Sequence, residues 1–284
     1  MIPLTPAAAD LEVAWAGRVL ANRAQVERLR ESQTDDHYAP VTNLFVADPR
    51  RTGEPALDRL LEMARVDATW LDIGAGAGRY ALPLALHVRE VVAVEPSGGM
   101  RQALRSGMVE HGIGNIRVVT GTWPEALDEL GELPAVDMAL IAHVGYDIER
   151  IGPFLDGMEA ATRDSCVAMM TDQSPASVAD PFWPLVHGEE RVALPALPEF
   201  VELLRARRRD PQVEVVERSL RTFDSVPALT AFLRRQLFIA EGGDKDLHFR
   251  AILPDHITRR DGGWTLAQRP AGSLGVVTWS VGTA

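Results

Sequence analysis

The stretch Trp70–Tyr80, WLDIGAGAGRY, decides the fold of this chain. An apolar run leads to Asp72, after which Gly74, Gly76 and Gly78 stand at alternate positions. Each glycine loses more backbone entropy on folding than a residue with a Cβ atom. Three glycines at alternate positions therefore imply that a ligand needs the space. In open α/β sheets, ligands bind beyond the carboxyl ends of the strands. The stretch therefore predicts a strand, a ligand-binding loop and the start of a helix.

Short apolar runs alternate with helical patterns from residue 68 to residue 171, which is typical of βα units and a mostly parallel sheet. The predicted strands are 68–73, 90–95, 116–119, 136–142 and 166–171. The predicted helices between them are 79–88, 98–111, 123–130 and 148–162. Two further helices are predicted before this region, at 11–31 and 55–64.

The chain after residue 171 is less regular. Residues 174–200 are rich in proline and predict a long excursion over one edge of the sheet, a construction that functional loops often have. The pattern then predicts a strand near 212–222 and helices near 198–208, 226–240 and 246–257. Two β runs flank Pro270–Gly272, which predicts an antiparallel pairing at the end of the chain.

Composition and charge exclude several classes of protein. The net charge of -11 and the pI near 5.1 argue against a nucleic-acid partner, because affinity for phosphate comes largely from clustered Lys and Arg. The basic cluster at 205–209 is expected to face solvent at the end of a helix. Cys166 is the only cysteine, so no internal disulfide can form, and its apolar surroundings predict a buried, inert thiol.

The expected compartment is the cytoplasm. The first residues, MIPLTPAAADLEVAW, lack the basic and apolar regions of a signal peptide, and no segment reaches the roughly 18 apolar residues of a membrane span. We therefore expect no membrane partner.

The spacing of the loop glycines distinguishes between two ligand classes. A dinucleotide-binding loop has the spacing GxGxxG, whereas Gly74, Gly76 and Gly78 give GxGxG. With Asp72 before them, they resemble the first motif of the class I S-adenosylmethionine (SAM)-dependent methyltransferases. Glu95, 21 residues after Gly74 at the end of the second strand, matches the acidic residue of that family that binds the ribose hydroxyls. A carboxylate can accept both hydrogen bonds.

The resemblance assigns further positions to the cofactor. Pro96 and Met100 match positions that often line the adenine pocket. Thr122 stands after the third strand where the family commonly has an Asp that contacts the adenine amino group, and Trp123 is a candidate wall of that site. Ala142 and His143, after the fourth strand, match residues that face the cofactor and the substrate.

The resemblance covers roughly residues 68–171 and implies SAM as the cofactor. It also implies a Rossmann-like, doubly wound, mostly parallel seven-stranded α/β sheet with an antiparallel C-terminal strand and helical lid insertions. The Asn/Asp-Pro-Pro motif of DNA amino-methyltransferases is not matched. The segments at 121–126, 142–147 and 153–155 resemble an actinobacterial group of free-standing methyltransferases, so a bacterial origin is expected.

Candidate catalytic residues follow from the chemistry of methyl transfer. The sulfonium is already an activated leaving group, so positioning supplies much of the catalysis and a base is optional. His143 is a candidate base or a packing partner of the cofactor, and Tyr146 is a candidate wall of the acceptor pocket. His187, in the proline-rich excursion, is a candidate lid residue or a surface histidine, and Tyr38 is a candidate for folding over the cofactor.

Two acidic residues have expected supporting roles. Asp147 is expected to cap the following helix at its N-terminus. Asp72 is expected to orient the glycine loop or to bind the cofactor's amino group. We find no cluster of ligands that predicts a metal site.

The sequence thus predicts a methyltransferase that acts on an oxygen or nitrogen of a small molecule. The expected parts are an N-terminal helical and lid segment (1–66), a SAM-binding core (67–171) and a substrate-side insertion with the C-terminal strands of the same domain (172–284). A non-catalytic SAM-binding module and a nicotinamide-binding Rossmann oxidoreductase are the alternatives.

Overall fold

The apolar runs of the sequence form the strands of one central sheet. The computed structural model describes residues 6–31, 45–131, 135–217, 221–260, 262–268 and 273–281. The strands of the first half are β1 (Thr69–Ile73), β2 (Glu90–Glu95), β3 (Ile116–Thr120), β4 (Val136–Ala142) and β5 (Thr162–Thr171). Those of the second half are β6 (Gln212–Glu217), β7 (Ile257–Arg260), β8 (Gly263–Leu266) and β9 (Ser273–Ser280).

Helices connect most of these strands. The longest are α1 (Pro6–Leu29), α4 (Gly98–His111), α5 (Ile151–Ala161) and α8 (Val226–Gln236). The others are α2 (Pro55–Glu62), α3 (Ala81–Ala85), α6 (Trp183–His187), α7 (Leu197–Ala206) and α9 (Asp244–Ile252). Among the described residues, no helix combines the length and apolar character that a membrane span requires.

The strand order confirms the predicted fold class. Within the described residues, seven strands form a sheet in the order β3-β2-β1-β4-β5-β9-β6. Strands β1 to β5 are parallel, and β9 lies antiparallel between β5 and β6. A dinucleotide-binding Rossmann sheet has the order 3-2-1-4-5-6. An inserted antiparallel strand therefore distinguishes this sheet from that of a nicotinamide-dependent oxidoreductase.

Both faces of the sheet are covered by helices. Alternate strand residues such as Leu71, Ile141 and Ala168 face a core with α1, α5 and α7. The intervening residues, such as Trp70 and Leu140, face a second core with α2, α3 and α4. Burial on both faces explains why the parallel strands are continuous apolar runs.

The structure corrects several predicted elements. The predicted helix 79–88 is α-helical only from Ala81 to Ala85, and residues 125–130 form a 3-10 helix. Strand β5 begins at Thr162, four residues earlier than predicted, because Thr162 pairs with Val136 at the start of β4. The two terminal β runs do not pair with each other: β8 pairs with β7, and β9 enters the main sheet. The pairing of β7 with β8 is local, whereas the place of β9 depends on strands distant in sequence.

The basic cluster at the end of α7 is not wholly exposed as predicted. The Arg207 side chain is only 5% exposed and pairs with Glu12 and Asp156. Arg209 binds both carboxylate oxygens of Glu159. These arginines tie α7 to α1 and α5. Cys166 is fully buried, as predicted.

A helical cap lies at the carboxyl edge of the sheet. We use this name for residues 174–191, 221–260 and 262–268. Thr171 at the end of β5 pairs with Leu274 at the start of β9, and Glu217 at the end of β6 pairs with Ser273. The chain therefore leaves β5, leaves β6 and enters β9 at this edge. The cap has its own apolar core, built from Val26 of α1 and cap residues. The core includes Phe182, Trp183, Phe223, Leu229, Phe232, Leu237, Phe249 and Leu266.

Gly78 is a position where the fold itself requires glycine. Its φ is +86°, and a Cβ atom there would lie 2.5 Å from Leu104 Cδ1 and 2.9 Å from Leu82 Cγ. Gly112 has a similar φ of +67°, but no heavy atom would lie within 4 Å of its Cβ.

We expect Gly78→Ala to destabilise the protein by about 2–5 kcal/mol, through backbone strain plus overpacking. Gly112→Ala is the matched control and should cost only the strain, about 1–2 kcal/mol. Chemical denaturation of the two variants measures the difference, and equal losses would contradict the packing role of Gly78.

Candidate cofactor site

The glycine loop begins where β1 ends. The N–H groups of Gly74 and Ala75 both donate to the Val94 carbonyl, at 2.8 and 3.2 Å, which fixes the loop against β2. Gly74, Gly76 and Gly78 all have positive φ, which a residue with a side chain rarely adopts. The glycine pattern thus has a conformational cause at each of the three positions.

Only one of these glycines leaves open space. A Cβ at Gly74 would lie 2.6 Å from Val144 Cγ2, and Gly78 is packed against Leu104 and Leu82. A Cβ at Gly76 would meet no heavy atom within 4 Å. Gly74 and Gly78 therefore serve packing, whereas Gly76 presents bare main chain to the outside of the loop.

Glu95 holds the exposed part of the loop. Its Oε2 accepts a hydrogen bond from Gly76 N at 2.8 Å, and its Oε1 accepts one from Ser97 N at 2.7 Å. The residue is 5% exposed. A carboxylate has about four acceptor positions, of which these two hydrogen bonds use two. Glu95 can therefore fix the loop and bind a ligand at once.

Asp72 is the most strongly perturbed group of this region. It is completely buried. Its side chain is on the same face of the sheet as the side chain of Glu95 on the neighbouring strand β2. Burial, and then the charge of Glu95, raise the pKa of Asp72 to about 7. No hydrogen bond to its carboxylate is found among the described residues. A buried carboxylate with such a perturbed pKa is a candidate functional residue.

The end of β4 forms the neighbouring wall. His143 N donates to the Met169 carbonyl at 2.8 Å, and His143 has a φ of +59°. Ala142 and His143 are both half-buried, and the His143 ring lies 6.5 Å from the ring of Tyr80, centroid to centroid. A non-glycine residue in this conformation often marks a functional position. The structure thus brings His143 close to the chain that follows the glycine loop.

Tyr146 is buried in a polar contact with the end of β5. Its hydroxyl accepts a hydrogen bond from Thr171 N at 2.7 Å and lies 3.0 Å from Thr171 Oγ1. These bonds fix the point where the chain enters the cap. Asp147 is exposed and does not cap α5, because Arg150 holds the N-cap position.

The residues predicted for the adenine side are spread around the ends of β2 and β3. Met100 is buried in α4, and its N–H donates to the N-cap Ser97 Oγ. Pro96 is exposed beside Glu95. Thr122 is exposed, and its hydroxyl donates to Glu125 at 2.8 Å.

Trp123 lies in the core. Its indole N–H donates to the Phe154 carbonyl at 3.0 Å, and it packs near Gly157 of α5. The adenine-site roles of Pro96, Met100, Thr122 and Trp123 stay predictions.

A charged cluster beside the loop was missed by the sequence reasoning. Glu54 Oε2 accepts from Arg51 at 2.7 Å and from Arg79 at 2.8 Å, and Arg51 also donates to the Arg79 carbonyl. Both guanidinium groups lie about 6 Å from the Tyr80 ring. Two cations and one carboxylate give this cluster a net positive charge. Only the position of Arg79 directly after Gly78 could have indicated it.

Two predicted site residues lie elsewhere. His187 is in the cap, where its Nε2 lies 2.9 Å from the Leu237 carbonyl and its ring packs on Trp183. Tyr38 lies outside the described residues. The catalytic role of His187 and the cofactor role of Tyr38 stay predictions.

Known structures share this architecture. YcgJ from Bacillus subtilis is 17% identical with a TM-score of 0.53, over 81% of this chain and 99% of its own. A candidate methyltransferase from Bacillus halodurans is 12% identical with a TM-score of 0.50, over 81% of this chain and 100% of its own. The fold is that of the class I SAM-dependent methyltransferases.

The sequence comparisons find no match, in contrast to the comparison of structures. Precorrin-6y C5,15-methyltransferase from Geobacter metallireducens is also similar, at 13% identity and a TM-score of 0.48, over 84% of this chain and 95% of its own. No protein-family model and no curated protein matches the chain. The actinobacterial subgroup therefore stays a prediction.

The burial of Asp72 predicts a pH-dependent stability. Its folded-state pKa of about 7 lies above the ordinary 3.8, so the folded protein holds a proton that the unfolded chain releases. The stability contributed by this group is therefore lost as the pH rises from about 4 to about 7. Asp72→Asn should stabilise the protein at pH 8, by at most about 4 kcal/mol, and the gain should vanish near pH 4.

Urea unfolding at several pH values checks this expectation, and a gain that is the same at every pH would contradict it. As a control, Asp72→Asn is also measured in a protein that carries Glu95→Gln. Because it removes the neighbouring charge, the gain from Asp72→Asn at pH 8 should be smaller in that variant.

Proposed function

We propose that this protein is a SAM-dependent methyltransferase that methylates an oxygen or nitrogen of a small molecule. The observation that carries the proposal is the open main chain of Gly76, whose N–H is held by Glu95. A nucleoside can approach the bare loop, and a carboxylate such as that of Glu95 can accept from both ribose hydroxyls. The resemblance of the sequence motifs and the shared fold support the same cofactor.

The charges around the loop suit the amino-acid end of SAM. Asp72 is a buried carboxylate without a cationic partner among the described residues, and it can offset the charge of an ammonium or sulfonium group. Arg51 and Arg79 offer guanidinium donors for a carboxylate on the side of Tyr80. The site thus carries both signs of charge that a zwitterion requires.

The chemistry that SAM supplies when bound is an activated methyl group on a sulfonium. The chain's own contribution is to position the acceptor and, where the acceptor carries a proton, to accept it. We assign this second task to His143, because a neutral imidazole is the usual base near pH 7 and the residue lies at the end of β4 beside the loop. Tyr146 has a shaping role in this proposal, since its hydroxyl is bonded to Thr171.

The negative net charge and the cap support a small-molecule acceptor. A charge of -11 opposes binding to nucleic acid, and the cap lies over the carboxyl edge of the sheet, where class I folds bind ligands. A cap of this size can enclose a small acceptor and exclude water from it.

Calorimetric titration tests the cofactor. We expect SAM and its demethylated product to bind and NAD not to bind. Gly76→Val should weaken SAM binding by at least about tenfold, or about 1.4 kcal/mol, because the side chain fills the open space. Gly112→Val is the matched control, with similar φ and equally open space at the end of α4, and should bind SAM normally. Equal affinity of the two variants would overturn the assigned site.

A screen of small hydroxyl and amine acceptors with methyl-labelled SAM tests the reaction. His143→Asn is the suitable variant, because Asn tolerates the positive φ of this position better than most residues. We expect SAM affinity to be retained and methyl transfer to a protonated acceptor to fall by about 10²–10⁴-fold. Binding of SAM without transfer to any acceptor by the unaltered protein would favour the non-catalytic alternative.

A further inference from the structure

Four parts of the chain meet at the C-terminal end of α1. They are the residues Leu29 to Glu31, His187 at the end of α6, the residues Leu237 to Ala240 after α8, and Lys245 at the start of α9. Glu31 N donates to the Phe238 carbonyl at 2.9 Å, and Ala240 N donates to Glu31 Oε2 at 3.1 Å. The end of α1 is thus attached to the cap by polar contacts.

The contacts of His187 determine its protonation state. The Leu237 carbonyl can only accept, so the ring nitrogen Nε2, 2.9 Å away, must carry a hydrogen. Nδ1 lies 3.3 Å from Lys245 Nζ, which as an ammonium can only donate. Nδ1 must therefore keep its lone pair. Both contacts exist together only when the imidazole is neutral.

Lys245 joins the same contact to α1. It is the only lysine of the chain. Besides His187, its ammonium contacts the Leu29 carbonyl at 3.4 Å and Glu31 Oε1 at 3.6 Å. A proton on His187 Nδ1 would remove the acceptor and place two cations 3.3 Å apart. Protonation of His187 would therefore weaken the contacts by which Lys245 holds the end of α1.

We propose that His187 and Lys245 form an acid-sensitive lock that fixes the C-terminal end of α1 to the cap and is released when His187 gains a second proton. In this role His187 positions structural elements and is not a catalytic base. The lock needs no assumption about the reaction.

The charges that face His187 set the conditions of release. Two cations, Lys245 and Arg191, oppose its protonation, and two carboxylates, Glu31 and Glu189, favour it. Burial is the largest influence, and the pKa of His187 lies below its ordinary value of 6.5. Since a depressed histidine pKa destabilises the fold as the pH falls through 6.5 and below, release is expected on the acidic side of neutrality.

Hydrogen exchange of the intact chain, corrected for the intrinsic effect of pH, tests the lock. The reporters are the amides of Glu31 and Ala240, which bond across the contact. Their opening should increase, by up to about tenfold per pH unit, as the pH falls from 6.5 toward the lower pKa that His187 has in the fold, as coupling to one proton requires. Amides of β1 and β4 should not lose protection in acid, because Asp72 makes the core more stable as the pH falls. Constant protection of Glu31 and Ala240 down to about pH 5 would overturn the proposal.

Three variants separate the lock from simple packing. His187→Gln can donate to Leu237 and accept from Lys245 without titrating, so both reporters should stay protected in acid. His187→Leu should expose them at every pH. His248→Gln, an exposed histidine of α9, is the matched control and should behave like the unaltered chain. Loss of protection in acid by His187→Gln would also overturn the proposal.

A second measurement does not depend on exchange. Nitrogen chemical shifts of the His187 ring report its tautomer and titration directly, and the resonance is identified by its absence in His187→Gln. We expect hydrogen on Nε2 at neutral pH, and a higher pKa in Lys245→Met, because a facing cation is removed. Hydrogen on Nδ1 at neutral pH would contradict the lock whatever the exchange data show.

Discussion

The hydrogen bond from Gly76 N to Glu95 is the constraint on which the candidate site depends. It joins a loop after β1 to the end of β2, and the loop can reach Glu95 only because three glycines accept positive φ angles. Two of these glycines are enclosed by Val144 and by leucines of α3 and α4, so the loop is held from behind by packing. The third remains bare on its outer side. Rigid support on one side and open main chain on the other are what a preformed ligand site requires.

The same carboxylate makes the unliganded site electrostatically unfavourable. Glu95 and Asp72 lie on one face of adjacent strands, and Asp72 is fully removed from water. The raised pKa of Asp72 reflects this cost, which a bound proton or a cationic ligand can offset. The buried pair is therefore compatible with the positive charge of SAM.

The sequence allowed the sheet and the cofactor side to be predicted for a local reason. Strands β1, β2 and β4, and β5 from Cys166 onward, are buried on both faces, so each is an apolar run that can be recognised without knowing its neighbours. Gly74 to Gly78 and Glu95 are also close in sequence and follow those runs directly. The errors occurred where long-range pairing decides the structure. Strand β9 resembles any other terminal β run, and only its insertion between β5 and β6 gives it a place in the sheet. Arg207 seemed exposed because Glu12, 195 residues away, is its partner.

His187 also shows that contacts with residues distant in sequence decide the place of a side chain. A histidine in a proline-rich excursion predicts a lid residue, yet its ring nitrogens contact residues 50 and 58 positions away. The cap as a whole is built in this manner, since its core combines Val26 of α1 with chain segments that follow β5 and β6. The glycine loop and Glu95 are thus specified by one nearly continuous stretch, whereas the cap is specified by contacts among distant segments. Motifs near the loop can therefore indicate the cofactor, but the cap offers no such local motif, because its neighbours in space are not neighbours in sequence.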